Sequence, residues 1–139
     1  MSAESDSRLS LLLVDDDEAF RTRLALALRA RNYEVREAAD AAAAIDLARA
    51  ETPERALVDL RMPGPSGLDL VRSLKALDPS TEIVVLTGYG SIATAIEAVR
   101  LGARDYLTKP VDVDRIVAAL EGVTDGGSPA TPLDETPSL

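Results

Sequence analysis

Three segments of the chain are continuously apolar, and two others mix apolar with charged positions. Leu11-Leu12-Leu13-Val14, Ala56-Leu57-Val58 and Ile83-Val84-Val85-Leu86 offer no polar face to water. That is the pattern of strands covered on both sides. Tyr33-Glu34-Val35-Arg36-Glu37 alternates, and residues 104–107 are short and partly polar, so both read as edge strands. Between these runs the apolar spacing changes to that of helices. Phe20, Leu24, Ala27 and Leu28 share one face of a helix running to about Arg31 and ended by Asn32. Asp40 caps an alanine-rich helix over 41–50 with Ile45 and Ala48 inward, closed by Thr52-Pro53. Ser66 precedes a third helix carrying Leu70, Leu74 and Leu77, ended by Asp78-Pro79. Gly88-Tyr89-Gly90 reads as a turn, with Ser91 the cap of a fourth helix. Ile92, Ala95, Ile96 and Val99 fit its inward face, and Gly102 follows as the residue just past its end. Asp112 caps the last helix, with Val113, Ile116, Val117 and Leu120 inward.

Strand and helix therefore alternate five times. This predicts an α/β, flavodoxin-like (βα)5 fold, a doubly wound parallel sheet of strand order 2-1-3-4-5. The two strands with edge character are the second and fifth, which this order places at the edges. In such a sheet the ligand crevice lies beyond the carboxyl ends of the first and third strands.

Composition narrows the chemistry. The chain has 139 residues, 46% of them hydrophobic and 28% charged, which suits one ordinary globular domain. Residues 1–8 read as a disordered N-terminus, 9–122 as the domain and 123–139, rich in Gly, Ser, Pro and Thr, as a linker or disordered tail. With no cysteine and no histidine, any catalysis runs on carboxylates, hydroxyls, Lys and Arg. No apolar run approaches the ~20 residues of a membrane span, and the polar, acidic start lacks a signal-peptide core, so the expected address is cytoplasmic, with no membrane partner. All 15 Lys and Arg residues and 20 of the 24 acids precede Glu121, leaving −5 on the body and −4 beyond. A body of that sign repels a phosphate backbone, so direct nucleic-acid binding through this chain is not expected.

The strand ends carry the candidate chemistry. Val14 runs into Asp15-Asp16-Asp17, Val58 into Asp59, Leu86 into Thr87 and Leu107 into Thr108-Lys109. Each taken alone has a plain explanation: a solvated acidic turn with Asp17 as helix cap, a strand-end acid, a common threonine, a solvated lysine. Together they describe a site. Clustered carboxylates at a buried strand end suit a hard dication such as Mg2+, which keeps several waters. One of them can act as a nucleophile toward phosphorus. Lys109 and the Thr87 hydroxyl can then neutralise phosphoryl oxygens. Gly88 leaves room beside Thr87. Pro110 permits a cis bond aiming Lys109 inward, and one is predicted here.

On Leu-Leu-Val-Asp-Asp-Asp, Val-Asp-Leu-Arg-Met-Pro-Gly-Pro-Ser-Gly-Leu, Ile-Val-Val-Leu-Thr-Gly-Tyr-Gly and Gly-Ala-Arg-Asp-Tyr-Leu-Thr-Lys-Pro, the chain resembles the receiver domain of bacterial two-component response regulators from about Leu11 to Leu120. The resemblance implies that Asp59 is the phosphoacceptor, with catalytic support from Thr87 and Lys109. It implies Mg2+ (or Mn2+) held by Asp15, Asp16, Asp59 and the backbone carbonyl of Arg61, with Asp16 the direct ligand of the acid pair. It makes Thr87 and Tyr106 the switch pair, and Arg61 and Tyr89 the positions that tune dephosphorylation. A sensor histidine kinase is the implied partner. Phosphorylation would reshape the surface of the fourth helix, fifth strand and fifth helix, to form a homodimer or dock an effector. On this view the chain is no enzyme beyond its own phosphorylation and dephosphorylation.

A narrower resemblance joins it to the redox-responsive RegA, PrrA and ActR group. It rests on Ile-Val-Val-Leu-Thr-Gly-Tyr-Gly-Ser-Ile-Ala-Thr-Ala-Ile-Glu-Ala-Val. Those proteins carry a small Fis-like helix-turn-helix after a proline-rich linker, and Ser-Pro-Ala-Thr-Pro-Leu-Asp-Glu-Thr-Pro-Ser-Leu is similar to such a linker. DNA would then be reached through a domain absent from this chain. The Met-Pro-Gly loop after Asp59 departs from the more acidic loop of that group. The main alternative is a haloacid-dehalogenase-type phosphatase using Asp15 and Asp17. Against it, no cap domain is visible, and Asp112 and Asp114 sit too close behind Lys109. A receiver-shaped adaptor that is never phosphorylated is a third class, at odds with the intact acids, Thr87 and Lys109.

Overall fold

The computed structural model describes residues 8–61, 67–88 and 92–122. Five strands, β1 (Leu9–Val14), β2 (Tyr33–Ala38), β3 (Arg55–Asp59), β4 (Glu82–Thr87) and β5 (Asp105–Thr108), alternate with five helices. The helices are α1 (Glu18–Ala30), α2 (Ala41–Ala50), α3 (Gly67–Leu77), α4 (Ile92–Arg100) and α5 (Val113–Glu121). All neighbouring strands are parallel, in the order β2-β1-β3-β4-β5. The expected architecture is therefore the observed one.

Strand periodicity divides the core into two layers. Leu12, Val14, Ala56, Val58, Ile83 and Val85 face α2, α3 and α4. Leu11, Leu13, Leu57, Val84 and Leu86 face α1 and α5, with Tyr33 and Val35 completing that layer. The register sets Leu57 between Leu13 and Val84, and Asp59 beside Leu86. Thr87 is thus one step further along the neighbouring strand.

Asp17, Asp40 and Asp112 cap their helices by accepting from the N–H groups of Phe20, Ala43 and Arg115. Asn32 and Gly102 both take positive φ, at 76° and 120°, where the chain must turn sharply out of a helix. Two expected caps, Ser66 and Ser91, lie outside the described residues, as do Tyr89, Gly90 and the extremes of the chain.

Some inward faces differ from expectation. On α1 the buried positions are Leu24, Ala25 and Leu28, while Ala27 is only half-buried. On α2 they are Ala41, Ala44 and Ala48, with Ile45 packed at the margin. The largest difference is on α4. Ala95 and Ala98 are fully buried, whereas Ile92, Ile96 and Val99 are 41%, 44% and 39% exposed. The small residues take the positions against the sheet, and the larger side chains are left partly exposed. The fifth strand begins one residue later than expected, at Asp105, although the Arg104 N–H already bonds the Ile83 carbonyl at 2.7 Å.

At the sheet end opposite the acids, two guanidinium groups hold the last turn of α5. Arg55 and Arg104 donate to the Leu120 carbonyl at 2.7 and 3.2 Å. The Tyr33 hydroxyl reaches Glu121 at 3.4 Å. Burial of the Tyr33 ring, reinforced by the Glu121 charge, pushes its phenol up to about 12. A raised folded-state value means the neutral phenol supports the fold below its ordinary value near 10, and that support is lost as pH rises toward 12. In a Tyr89→Phe, Tyr106→Phe background, absorbance titration should show tyrosinate forming near pH 12. Glu121→Gln should lower that midpoint, and an unmoved midpoint would remove the carboxylate as a cause.

Candidate functional site: an acidic pocket at the carboxyl end of the sheet

Asp15 and Asp59 sit where two central strands stop. The Asp15 side chain is fully buried, and Asp59 is 4% exposed. The chain is fixed on both sides of each. Asp15 N–H donates to the Ala38 carbonyl at 3.1 Å, and Leu60 N–H to the Leu86 carbonyl at 3.0 Å. Arg21 donates to the Asp15 carbonyl at 2.8 Å and is itself paired with Glu37 at 3.1 Å. The Asp15 carboxylate accepts from Asp17 N–H, and the Asp59 carboxylate from Arg61 N–H.

Asp16 is exposed, yet one carboxylate oxygen from each of Asp15, Asp16 and Asp59 falls within a 4.8 Å cluster. Two buried acids and one wet one, all oxygen donors, fit a divalent cation that retains water. Asp17 does not join them, because its side chain is committed to capping α1. That removes the second carboxylate the phosphatase alternative requires.

Lys109 enters from the loop after β5. Its N–H bonds the Thr87 carbonyl at 2.7 Å, and the Lys109–Pro110 peptide is cis, as predicted. Its ammonium lies 3.1 Å from Asp15 Oδ2 and 3.7 Å from Asp59 Oδ2. Residues 15, 59 and 109, remote in sequence, therefore meet within ion-pair distance, with Asp16 beside them.

Burial is the main reason that the Asp59 carboxyl is raised above the ordinary carboxylate range. The Arg61 N–H opposes this, the Asp15 charge adds to it, and Lys109 draws it back. A buried acid held against like charge is poised to react or to bind a cation.

Thr87 is fully buried at the end of β4, and its hydroxyl approaches the Gly88 carbonyl at 3.5 Å. Tyr106, beside Val85 in the sheet, is half-buried against the layer that includes α4. The space expected beside Gly88 is taken by the Arg61 side chain: a Cβ on Gly88 would stand 2.9 Å from Arg61 Nη1.

One contact was not anticipated. The Phe20 ring, treated as core from its helical spacing, carries the Lys109 ammonium 4.4 Å from its centroid. The available signal was its position in the first turn of the helix directly after the acids.

Among the described residues, no helix is long and apolar enough to cross a membrane. Residues 11–121 match the model of the response regulator receiver domain. The acid tolerance regulatory protein ActR of Rhizobium meliloti is 50% identical over 80% of this chain and 57% of its own length. The photosynthetic apparatus regulatory protein RegA of Rhodovulum sulfidophilum is 50% identical over 80% of the chain and 61% of its own. The chain thus spans little more than half the length of these relatives. A crystal structure of a response regulator protein from Burkholderia pseudomallei superposes with a TM-score of 0.76, at 47% identity, over 81% of this chain and 66% of that one. That structure holds a phosphorylated aspartic acid, a calcium ion and citrate. Both the broad and the narrow resemblance read from the sequence are borne out, and nothing supports the phosphatase. With the order of its strands, the acids at their ends and these matches in agreement, the chain belongs to the receiver domain family of response regulators, the input modules of two-component signalling.

Proposed function

We propose that Asp59 accepts a phosphoryl group from a sensor histidine kinase or a small phosphodonor. The observation that carries this reading is the convergence of Asp15, Asp16, Asp59 and Lys109 at one strand end. An Asp59 carboxylate oxygen bonds to phosphorus as the bond to the donor's nitrogen or oxygen breaks. The leaving group departs with that electron pair. Asp15, Asp16, Asp59 and the Arg61 carbonyl are the residues that would hold Mg2+ or Mn2+, whose charge offsets that of the phosphoryl oxygens. Lys109 supplies a second positive contact. The Thr87 hydroxyl supplies a third, donating to a phosphoryl oxygen once drawn toward it.

Thr87 and Tyr106 are the switch pair in this reading. Movement of Thr87 toward Asp59 opens space that the Tyr106 ring can fill. The surface of α4, β5 and α5 changes with it, and the exposed Ile92, Ile96 and Val99 give that surface an apolar stripe able to pair or dock. One or two charge-assisted hydrogen bonds suffice, since about 1.4 kcal/mol shifts a two-state population tenfold. Arg61 and Tyr89 tune how long the phosphate lasts. We assign transcriptional control as the output, exerted on DNA through a further domain, as the likeness to regulatory proteins such as RegA supports. The chain's chemistry is confined to its own phosphorylation and dephosphorylation, and its setting is the cytoplasm.

Incubation with acetyl phosphate and Mg2+ should give one stoichiometric, base-labile and acid-stable phosphate per chain. Asp59→Asn should abolish it. Uptake by that variant at the wild-type rate would overturn the assignment. Turnover of para-nitrophenyl phosphate would revive the phosphatase.

A further inference from the structure

We infer that Phe20 is a positioning residue for Lys109. Its ring is a third contact of the ammonium, beside the two carboxylates. The inference rests on Asp59 being the phosphoacceptor. Lys109 is a long, flexible side chain ending in a strongly hydrated head, and 28% of it remains exposed. Such a group needs more than attraction to stay in one place. Asp15 and Asp59 lie 3.1 and 3.7 Å from Nζ, and the ring centroid of Phe20 lies at 4.4 Å, well inside the ~6 Å range of a cation–π contact.

The three contacts differ in kind. The pull of the carboxylates depends on their charge, and Asp59 gives up its carboxylate charge when one of its oxygens bonds to phosphorus, the negative charge then lying on the phosphoryl oxygens. The face of a phenyl ring neither titrates nor reacts. It therefore stays a contact for the ammonium while the electrostatics around it change. Phe20 is also the one phenylalanine in the chain, placed by the first turn of α1, whose start the Asp17 cap fixes. Asp15 and the ring thus reach Lys109 from a single short turn, and Asp59 reaches it from the end of β3.

An ordinary packing role for Phe20 makes different predictions. In the metal-free full chain, the Lys109 methylene protons next to Nζ should resonate upfield of a free lysine because of the ring current. Phe20→Leu should abolish that shift, while Phe20→Tyr and Phe20→Trp should keep it. With acetyl phosphate and Mg2+, Phe20→Leu should slow labelling of Asp59 about fivefold, and the aromatic variants should stay within about twofold of wild type. In a Lys109→Met background, Phe20→Leu should cost nothing more.

Absence of the upfield shift in the wild type, or an equal slowing by Phe20→Leu with and without Lys109, would overturn the positioning role. So would an unchanged rate in Phe20→Leu. Phe20→Met gives the same comparison if the leucine variant folds poorly. Should the wild type itself fail to label Asp59, the acceptor assignment fails instead, and the ring-current result stands apart from it.

Discussion

Metal-free protein carrying Asp59→Asn should melt above the wild type at neutral pH, although the same substitution is expected to abolish the proposed phosphate uptake. The Asp59 carboxyl is raised above its unfolded-state value chiefly by burial, with the nearby Asp15 charge acting the same way. A group raised in this sense favours the fold while protonated and loses that contribution as pH climbs through its folded value. At neutral pH the ionised carboxylate is therefore a cost to the native state. The amide keeps an oxygen to accept from Arg61 N–H, now at 3.0 Å from the carboxylate, and no longer repels Asp15. A gain of about 1 kcal/mol would raise the melting temperature of a domain this size by roughly 3–5 °C.

The difference should shrink as pH is lowered into the range where wild-type Asp59 takes up its proton. Mg2+ should stabilise the wild type more than the variant, because binding to the native state alone adds to stability. Calorimetry at two pH values, with and without the cation, checks all three statements. A variant melting at or below the wild type at neutral pH would mean that the pocket does not penalise the acid's charge.

The second large effect is expected at Gly67. A Cβ there would stand 2.8 Å from the Leu60 Cα and 2.8 Å from its Cδ2, with the Asp59 carbonyl at 3.2 Å. The first of these is backbone and cannot rotate away. Gly67→Ala must push α3 from the end of β3, at about 1–3 kcal/mol for overpacking of this kind. The strain falls on the residue that follows Asp59, so labelling by acetyl phosphate should drop along with the melting temperature. Gly88→Ala is the matched control. There the close atom, at 2.9 Å, belongs to the Arg61 guanidinium, which can swing into solvent. Gly88→Ala should cost less stability than Gly67→Ala. Equal losses from the two substitutions would show that the Leu60 contact does not set the outcome.

How much of this was legible depended on the range of the signal. The sheet order followed from local patterning, because a strand covered on both faces and a strand at an edge differ within five residues. The acids, Thr87 and Lys109 were legible because each ends an apolar run, and parallel topology carries such ends to one side. The phase of α4 was not. Ile92, Ala95, Ile96 and Val99 satisfy helical spacing, but so does the stripe through Ala95 and Ala98. Only the packing of the helix against the sheet decides between them, and that is a property of the assembled layers. The meeting of Phe20 with Lys109 was hidden for a related reason: an aromatic at helical spacing looks the same whether its face meets aliphatic carbon or a cation.

The alanine face of α4 has a mechanical consequence. Large side chains seated between strands act as pegs, and a helix pegged to a sheet moves only by withdrawing them. Methyl groups at 95 and 98 make a shallow bearing surface, over which a short glide along the sheet forces no side chain out of a socket. Of the helices on that side, α3 is pegged by Leu70, Val71 and Leu74, while α4 is not. The element next to the proposed switch is thus built with low friction, and its outward isoleucines and valine would travel with it.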